Sequence, residues 1–218
     1  MAQIFSPGAD TWLRFGVTGV AVVVVLTVLL SGFVTSNYRT NMNFRPHQPV
    51  PFSHEHHVGG LGLDCRYCHA AVEVSRHAGF PPTHTCMTCH SQLYTDAAML
   101  APVRQSLANA QPLRWSRVAK LPDYVYFDHS IHIAKGVGCS TCHGEVQKMP
   151  LLYPAHALTM EFCISCHRDP APYLRASQAE VFDMTWQPPS NQLSLGEQRV
   201  VERGIAGRNL TDCYTCHR

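Results

Sequence analysis

The sequence has no cysteine outside one recurring pentapeptide. All 10 cysteines fall within it, so none is left for a disulfide, and none precedes Cys65, which excludes a lipidated cysteine anchor near the N-terminus. Charge is missing from Phe15 to Val34, so that run holds no proton relay of its own. Apolar content outside that run is too thin for a conventional core, and 15 Pro and 14 Gly favour loops and short helices. A formal net charge of only +2 gives no ground for a nucleic-acid partner.

The pentapeptide is C-x-x-C-H. It occurs at Cys65–His69, Cys86–His90, Cys139–His143, Cys163–His167 and Cys213–His217. Random placement of 10 Cys and 14 His would give roughly 0.03 such motifs. The pattern is the attachment signature of c-type haem: Cys65, Cys68, Cys86, Cys89, Cys139, Cys142, Cys163, Cys166, Cys213 and Cys216 form thioethers, and the adjacent histidine becomes the proximal iron ligand. A zinc site or a thioredoxin-like dithiol does not need a histidine after the second cysteine every time. Five haems share roughly 180 residues, about 36 each, so the porphyrins serve as the core. Their propionates make the holoprotein acidic despite the basic sequence. The expected fold is a multihaem cytochrome c of short helices and loops wrapped around five haems, plus one N-terminal transmembrane helix.

Phe15–Val34 is apolar for 20 residues, about 30 Å as a helix, and Trp12 and Tyr38 flank it where interfacial aromatics sit. It exceeds a signal-peptide core and lacks an A-x-A cleavage site, so it reads as an uncleaved anchor. Arg14 on one side against Arg39 and Arg45 on the other does not fix its orientation. Extracytoplasmic haem attachment does, placing the N-terminus in the cytoplasm and the haem domain outside. The expected division is an anchor over 1–36, a linker over 37–51, two dihaem units over 52–120 and 121–175, and a fifth-haem extension over 176–218, with no further domain after Arg218.

The two dihaem units are an internal repeat. Each is F-x-H-x-x-H followed by two haem motifs: Phe52/His54/His57 before Cys65 and Cys86, and Phe127/His129/His132 before Cys139 and Cys163. Histidines at i and i+3 on a helical turn lie on neighbouring faces and can reach two packed haems. His54 is therefore assigned opposite His69, His57 opposite His90, His129 opposite His143, and His132 opposite His167. The fifth haem, with His217, lacks such a partner. Met160 is preferred, then Met149, with His156 and Met184 behind; methionine is a soft iron ligand that raises the potential.

The phrases DCRYCH (64–69), AGFPPTHTCMTCH (78–90), LPDYVYFDHSIHIAKGVGCSTCHGEVQKMP (121–150) and LTMEFCISCHR (158–168) resemble the pentahaem cytochrome subunit of alternative complex III, within the class III, c7-like multihaem cytochromes. The resemblance implies a membrane quinol:electron-acceptor oxidoreductase of a respiratory or photosynthetic chain. It also implies partners: an iron–sulfur subunit, polysulfide-reductase-like membrane subunits that hold the quinol site, and a monohaem cytochrome c. The family has mostly bis-histidine haems with one His/Met haem, and its proximal and F-x-H-x-x-H histidines match positions here.

Three functions compete. An electron-relay subunit, not catalytic on its own, needs saturated iron coordination, and the ligand candidates here exceed the vacancies. A multihaem reductase needs an open iron, often marked by an irregular motif, whereas all five motifs here are regular. A membrane-anchored quinol dehydrogenase feeding a periplasmic reductase shares the layout but not the repeated histidine pairs.

Overall fold

The computed structural model describes residues 4–217; residues 1–3 of the expected anchor and Arg218 of the expected extension lie outside the described residues. The chain divides into two units, Met1–Met42 and Asn43–Arg218.

The first unit is one long helix, α1 (Ala9–Thr35), followed by a single turn, α2 (Asn37–Thr40). Its 27 residues extend about 40 Å, enough to cross a hydrocarbon core of about 30 Å. None of its residues is buried by the chain itself. Two of its hydroxyls bond inside the helix: Thr27 donates to the Val23 carbonyl (2.8 Å) and Thr35 to that of Ser31 (2.9 Å). A lone span in lipid requires such internal pairing. The helix is a candidate membrane span by length and composition.

The second unit has no β-strand among the described residues, only two isolated bridges, Val125 to His217 and Val137 to Leu174. Each C-x-x-C-H motif forms or ends a short helix: α3 (Cys65–Cys68), α4 (Thr83–His90), α7 (Cys139–His143), α8 (Met160–Arg168) and α11 (Cys213–Cys216). The residue before the motif often caps it. Asp64 accepts from the Arg66 amide (2.8 Å) and Asp212 from that of Tyr214 (3.0 Å). Thr159 does the same for α8 through the Phe162 amide. Such caps let helices of one or two turns form despite their costly nucleation.

The remaining elements are α5 (Ala101–Ala108), which carries Pro102 in its first turn, α6 (His129–Ala134), α9 (Gln178–Phe182) and α10 (Gln192–Glu202). Two small apolar clusters hold the unit. Val72, Ile133, Val181 and Phe182 pack with Cys65 and Cys139; Val50, Leu100 and Val103 pack with Cys86 and Trp115. Only 12 apolar residues are buried among those described, and both clusters end on motif cysteines. The packing therefore converges on the haem-attachment points.

The two repeats dock reciprocally. The first histidine pair sits on a π-helical turn, Glu55–Gly60, with His54 as its cap, rather than on the ordinary helical turn expected. That turn packs on the segment after the third motif: the Glu55 amide donates to the Met149 carbonyl (3.1 Å). Gly59 comes so close to Gln147 that a Cβ would lie 2.4 Å from its carbonyl oxygen. In return, α6 packs on the segment after the first motif, where the His129 and Ser130 amides donate to the Arg76 and Ser75 carbonyls (both 3.3 Å). Each repeat's histidine turn thus grips the other repeat at the corresponding place.

The C-terminal extension is tied to the second repeat through backbone carbonyls. On α10, Gln192 and Arg199 donate to the Leu174 carbonyl (2.9 and 2.6 Å), and Arg203 donates to those of Lys135 (2.7 Å) and Arg175 (2.6 Å). Gly196 permits this approach, since a Cβ there would meet the Ala171 carbonyl at 1.9 Å.

Candidate functional site

The histidines of the motifs and of the repeated turns face one another in pairs. His129 and His143 have ring centres 6.3 Å apart and planes 2° from parallel. His132 and His167 are 6.1 Å apart at 26°, and His57 and His90 are 6.2 Å apart at 63°. A metal–imidazole bond of about 2.0–2.1 Å, with the ring centre about 1.1 Å further on, puts two rings sharing one metal about 6.2–6.4 Å apart. All three pairs have the spacing that an iron between two imidazoles requires. His54 is placed towards His69: burial and then the charge of His69 are the largest influences on it, and they hold its pKa down at about 4.

The ring nitrogens are arranged for ligation. A ligating histidine donates its second N–H to a carbonyl, which fixes the ring and leaves Nε2 free. His69 Nδ1 donates to Gly79 (2.8 Å), His90 to Leu93 (3.1 Å), His167 to Leu210 (2.9 Å) and His217 to Tyr124 (3.2 Å). On the repeated turns, His57 donates to Ser53 (2.8 Å), His129 to Arg76 (2.8 Å) and His132 to Asp128 (2.7 Å). His54 is the exception, with a buried Nδ1 that has no partner. Burial and the neighbouring His129 and His69 also hold His143 near a pKa of about 4, in the neutral form that a metal takes.

The phenylalanine of F-x-H-x-x-H has a role that sequence reasoning missed. Phe52 stacks on His57 (4.3 Å, 26°) and meets His54 edge-on (4.9 Å, 89°). Phe127 repeats this with His132 (4.4 Å, 29°) and His129 (4.8 Å, 87°). One ring therefore orients both imidazoles, and its recurrence at the same offset was the available signal. The residue between is a cap: Ser53 accepts from the His56 amide (3.1 Å), and Asp128 from Ser130 (2.9 Å) and Ile131 (3.4 Å).

The motif cysteines form a file. Cys86 is within electrostatic range of Cys68, and the Cys65 and Cys139 thiols interact with each other beside the same apolar cluster. Cys142 is in range of Cys163 and Cys166, and Cys163 of Cys216. The fifth motif interlocks with the fourth, since the Leu210 carbonyl just ahead of it holds His167. It also lies along the start of the second repeat, where the Tyr126 amide donates to the Cys216 carbonyl (2.7 Å). Among the described residues, no three His, Cys, Asp or Glu side chains cluster as a bare-metal site would need. The donors come in opposed pairs beside cysteine pairs, which fits haem.

The candidates for the fifth haem fall in two places. Met149 (2 % exposed) and Met184 (7 %) are buried and, with His156, line a cavity of about 590 Å³ behind α7, next to Ser140 and Gly144. His156 also stacks on Phe162 (5.4 Å). Met160 is 68 % exposed and lies one turn before Cys163, the cysteine in range of Cys216.

Comparison with known proteins agrees with this chemistry. Residues 125–218 match the family described as cytochrome c7 and related cytochrome c. A curated protein of Nitratidesulfovibrio vulgaris named "Menaquinone reductase, multiheme cytochrome c subunit" is 32 % identical over 125 residues, which is 57 % of this chain and 53 % of that protein. The chain thus aligns with about half the length of that relative. Covalently bound c-type haem follows from the family and from the motifs. In residues 125–218, somewhat less than half of its length, the chain is similar to the cytochrome c7-like multihaem cytochromes c, and its helix-and-loop fold and opposed histidine pairs agree with that likeness.

Proposed function

We propose that the chain is the electron-relay subunit of a membrane quinone-linked oxidoreductase and carries five covalent haems. The observation that carries this is the set of three imidazole pairs 6.1–6.3 Å apart, each beside its own cysteine pair. The proposed axial pairs are His69/His54, His90/His57, His143/His129 and His167/His132. His217 is paired with Met160, because Met160 shares a helix face with Cys163 and is not used for packing. Haem supplies the one-electron couple; the protein saturates each iron and spaces the groups. The cysteine file supports the order second, first, third, fourth, fifth. The two dihaem units at 52–120 and 121–175 supply four sites and the extension at 176–218 the fifth.

α1 is proposed as a single-pass anchor, with the N-terminus in the cytoplasm and the haem unit on the extracytoplasmic face. The sequence resemblance favours the cytochrome subunit of alternative complex III, working with an iron–sulfur subunit, polysulfide-reductase-like quinol-binding subunits and a monohaem cytochrome c. In that complex electrons leave quinol. A second reading is favoured by the name of the Nitratidesulfovibrio relative: the same relay run in the opposite direction, towards menaquinone. One set of measurements on the detergent-purified complex tests these readings. Mass spectrometry should show five haems on the chain, and low-temperature EPR only low-spin iron. Fewer haems, or a high-spin centre that binds nitrite or CO in the native state, would sink the relay. Stopped-flow reduction by menaquinol, set against reduction by a periplasmic donor, separates the two directions.

A further inference from the structure

Arg175 is buried to 1 % exposure next to the third motif, and its surroundings do not match an ordinary structural arginine. Its guanidinium donates to the main-chain carbonyls of Glu180, Val181 (3.3 Å) and Asp183 (2.8 Å) and to the Ser140 hydroxyl. It stacks over Trp186 (4.8 Å), and its Nε has no partner. Among the described residues no side-chain carboxylate bonds it. The two nearest are committed elsewhere, Asp183 to Thr185 (2.7 and 2.8 Å) and Glu180 to Trp186 (2.9 Å) and the Ala176 amide (3.0 Å). A buried cation that no side-chain carboxylate of its own chain neutralises is costly, so its retention next to a haem-attachment site calls for a compensating use there.

Its position suggests that use. The guanidinium lies against Gly138, where a Cβ would be 1.9 Å from its carbon, and bonds Ser140, so it touches the residues on both sides of Cys139. The corresponding place in the first repeat differs. Before Cys65 stands Asp64, whose carboxylate pairs two-pronged with Arg66 (2.8 and 2.9 Å). That pair is neutral and exposed, with side-chain exposures of 43 % and 44 %. The two attachment sites meet at Cys65 and Cys139 and correspond to one another by the repeat.

We infer that Arg175 is a redox-positioning residue: its buried charge favours the electron on the third haem and raises that potential above that of the first haem. The step is one-electron reduction of iron, which lowers the local charge by one and is stabilised by a fixed cation in a weakly screened site. The inference rests on the five-haem reading above and deepens it by setting a direction across the contact between the repeats.

The test is an EPR-monitored redox titration of the purified complex, after haem counting. The third haem is identifiable by its near-parallel imidazoles, 2° apart, against the strongly crossed pair of the second haem at 63°. Arg175→Met should lower that one potential and leave the other four within error, with five low-spin haems retained. Arg175→Lys, which keeps the charge and loses the planar fork, should restore it. If Arg175→Met does not assemble, Arg175→Gln, a neutral donor, takes its place. In the wild type, the third haem should titrate above the first. Unchanged potentials in the neutral variants, an equal shift in Arg175→Lys, or a wild-type third haem below the first would overturn the inference. Fewer than five haems in the wild type would instead refute the relay reading.

Discussion

Removing the Asp128 carboxylate should loosen two irons at once. Asp128 caps α6, a helix of six residues that carries both His129 and His132. One carboxylate oxygen accepts from the Ser130 amide (2.9 Å), the Ser130 hydroxyl (2.7 Å) and the Ile131 amide (3.4 Å). Losing such a cap costs about 1–2 kcal/mol, and so short a helix has no further turns to absorb it. At about 1.4 kcal/mol per tenfold, the hold on the two imidazoles weakens by about 5- to 30-fold. Carbon monoxide reads this in the dithionite-reduced protein, because it binds only where the sixth ligand has left. In Asp128→Ala, CO affinity should rise by about that factor at two of the five haems. Asp128→Ser copies Ser53 of the first repeat and should stay near wild type. The hydroxyl of Ser130, followed by the backbone amides, holds the carboxyl below its usual range. A depressed carboxyl stabilises above its unfolded pKa of about 3.9, and the contribution is lost as the pH falls through the folded value. The effect should therefore be flat from pH 6 to 8. Unchanged CO binding in Asp128→Ala, an equal rise at all five haems, or a Ser variant as defective as Ala would refute the capping argument.

Two further outcomes follow from the same geometry. Met160→Ala should leave one haem in five high-spin by EPR at full haem content, whereas Met149→Ala should lower stability by about 2–5 kcal/mol, the cost of emptying a packed site, with all haems still low-spin. Gly196→Val drives a side chain into the Ala171 carbonyl, 1.9 Å from its Cβ. It should lower the melting temperature by several degrees, at about 2–4 °C per kcal/mol, and loosen the fifth haem before the others.

The motif helices and the facing histidine pairs were legible because they are local: a pentapeptide, and two residues one turn apart. Repetition made them stronger, since the offset that relates His54 to His129 also relates Phe52 to Phe127. The long helix α1, a candidate membrane span, was legible from its uninterrupted apolar run. What stayed hidden depends on chain segments far apart. Arg175 gives no signal in its own surroundings; only the pair Gly136 and Gly138 hints that something large packs there. The carbonyls that orient the rings are backbone atoms of Gly79, Arg76 and Leu210, and any residue could supply them. The π-turn beneath His54 was missed because i, i+3 spacing suits an ordinary helix equally well.

Reciprocal docking of the two repeats has a consequence for direction. The units meet at Cys65 and Cys139, so the file from second to fourth haem reads nearly the same from either end. Equivalent sites have equivalent potentials, and such a file conducts without preference. Bias must come from departures from the repeat, and at the central contact two of these oppose each other. His129 donates to Arg76, while the His54 Nδ1 has no partner. The hydrogen bond makes His129 the stronger donor to iron, which favours the oxidised third haem. Arg175 favours the reduced one. A hydrogen bond is worth about 0.5–1.5 kcal/mol net, and only part of that reaches the iron. A full unit charge in a weakly screened site acts on the reduced centre directly rather than through one ligand. The charge wins, and the electron is drawn across the contact towards the half that carries the fifth motif. Reversing the relay, as a menaquinone-reducing complex would need, then requires a driving force from outside this chain that exceeds the step set at Arg175.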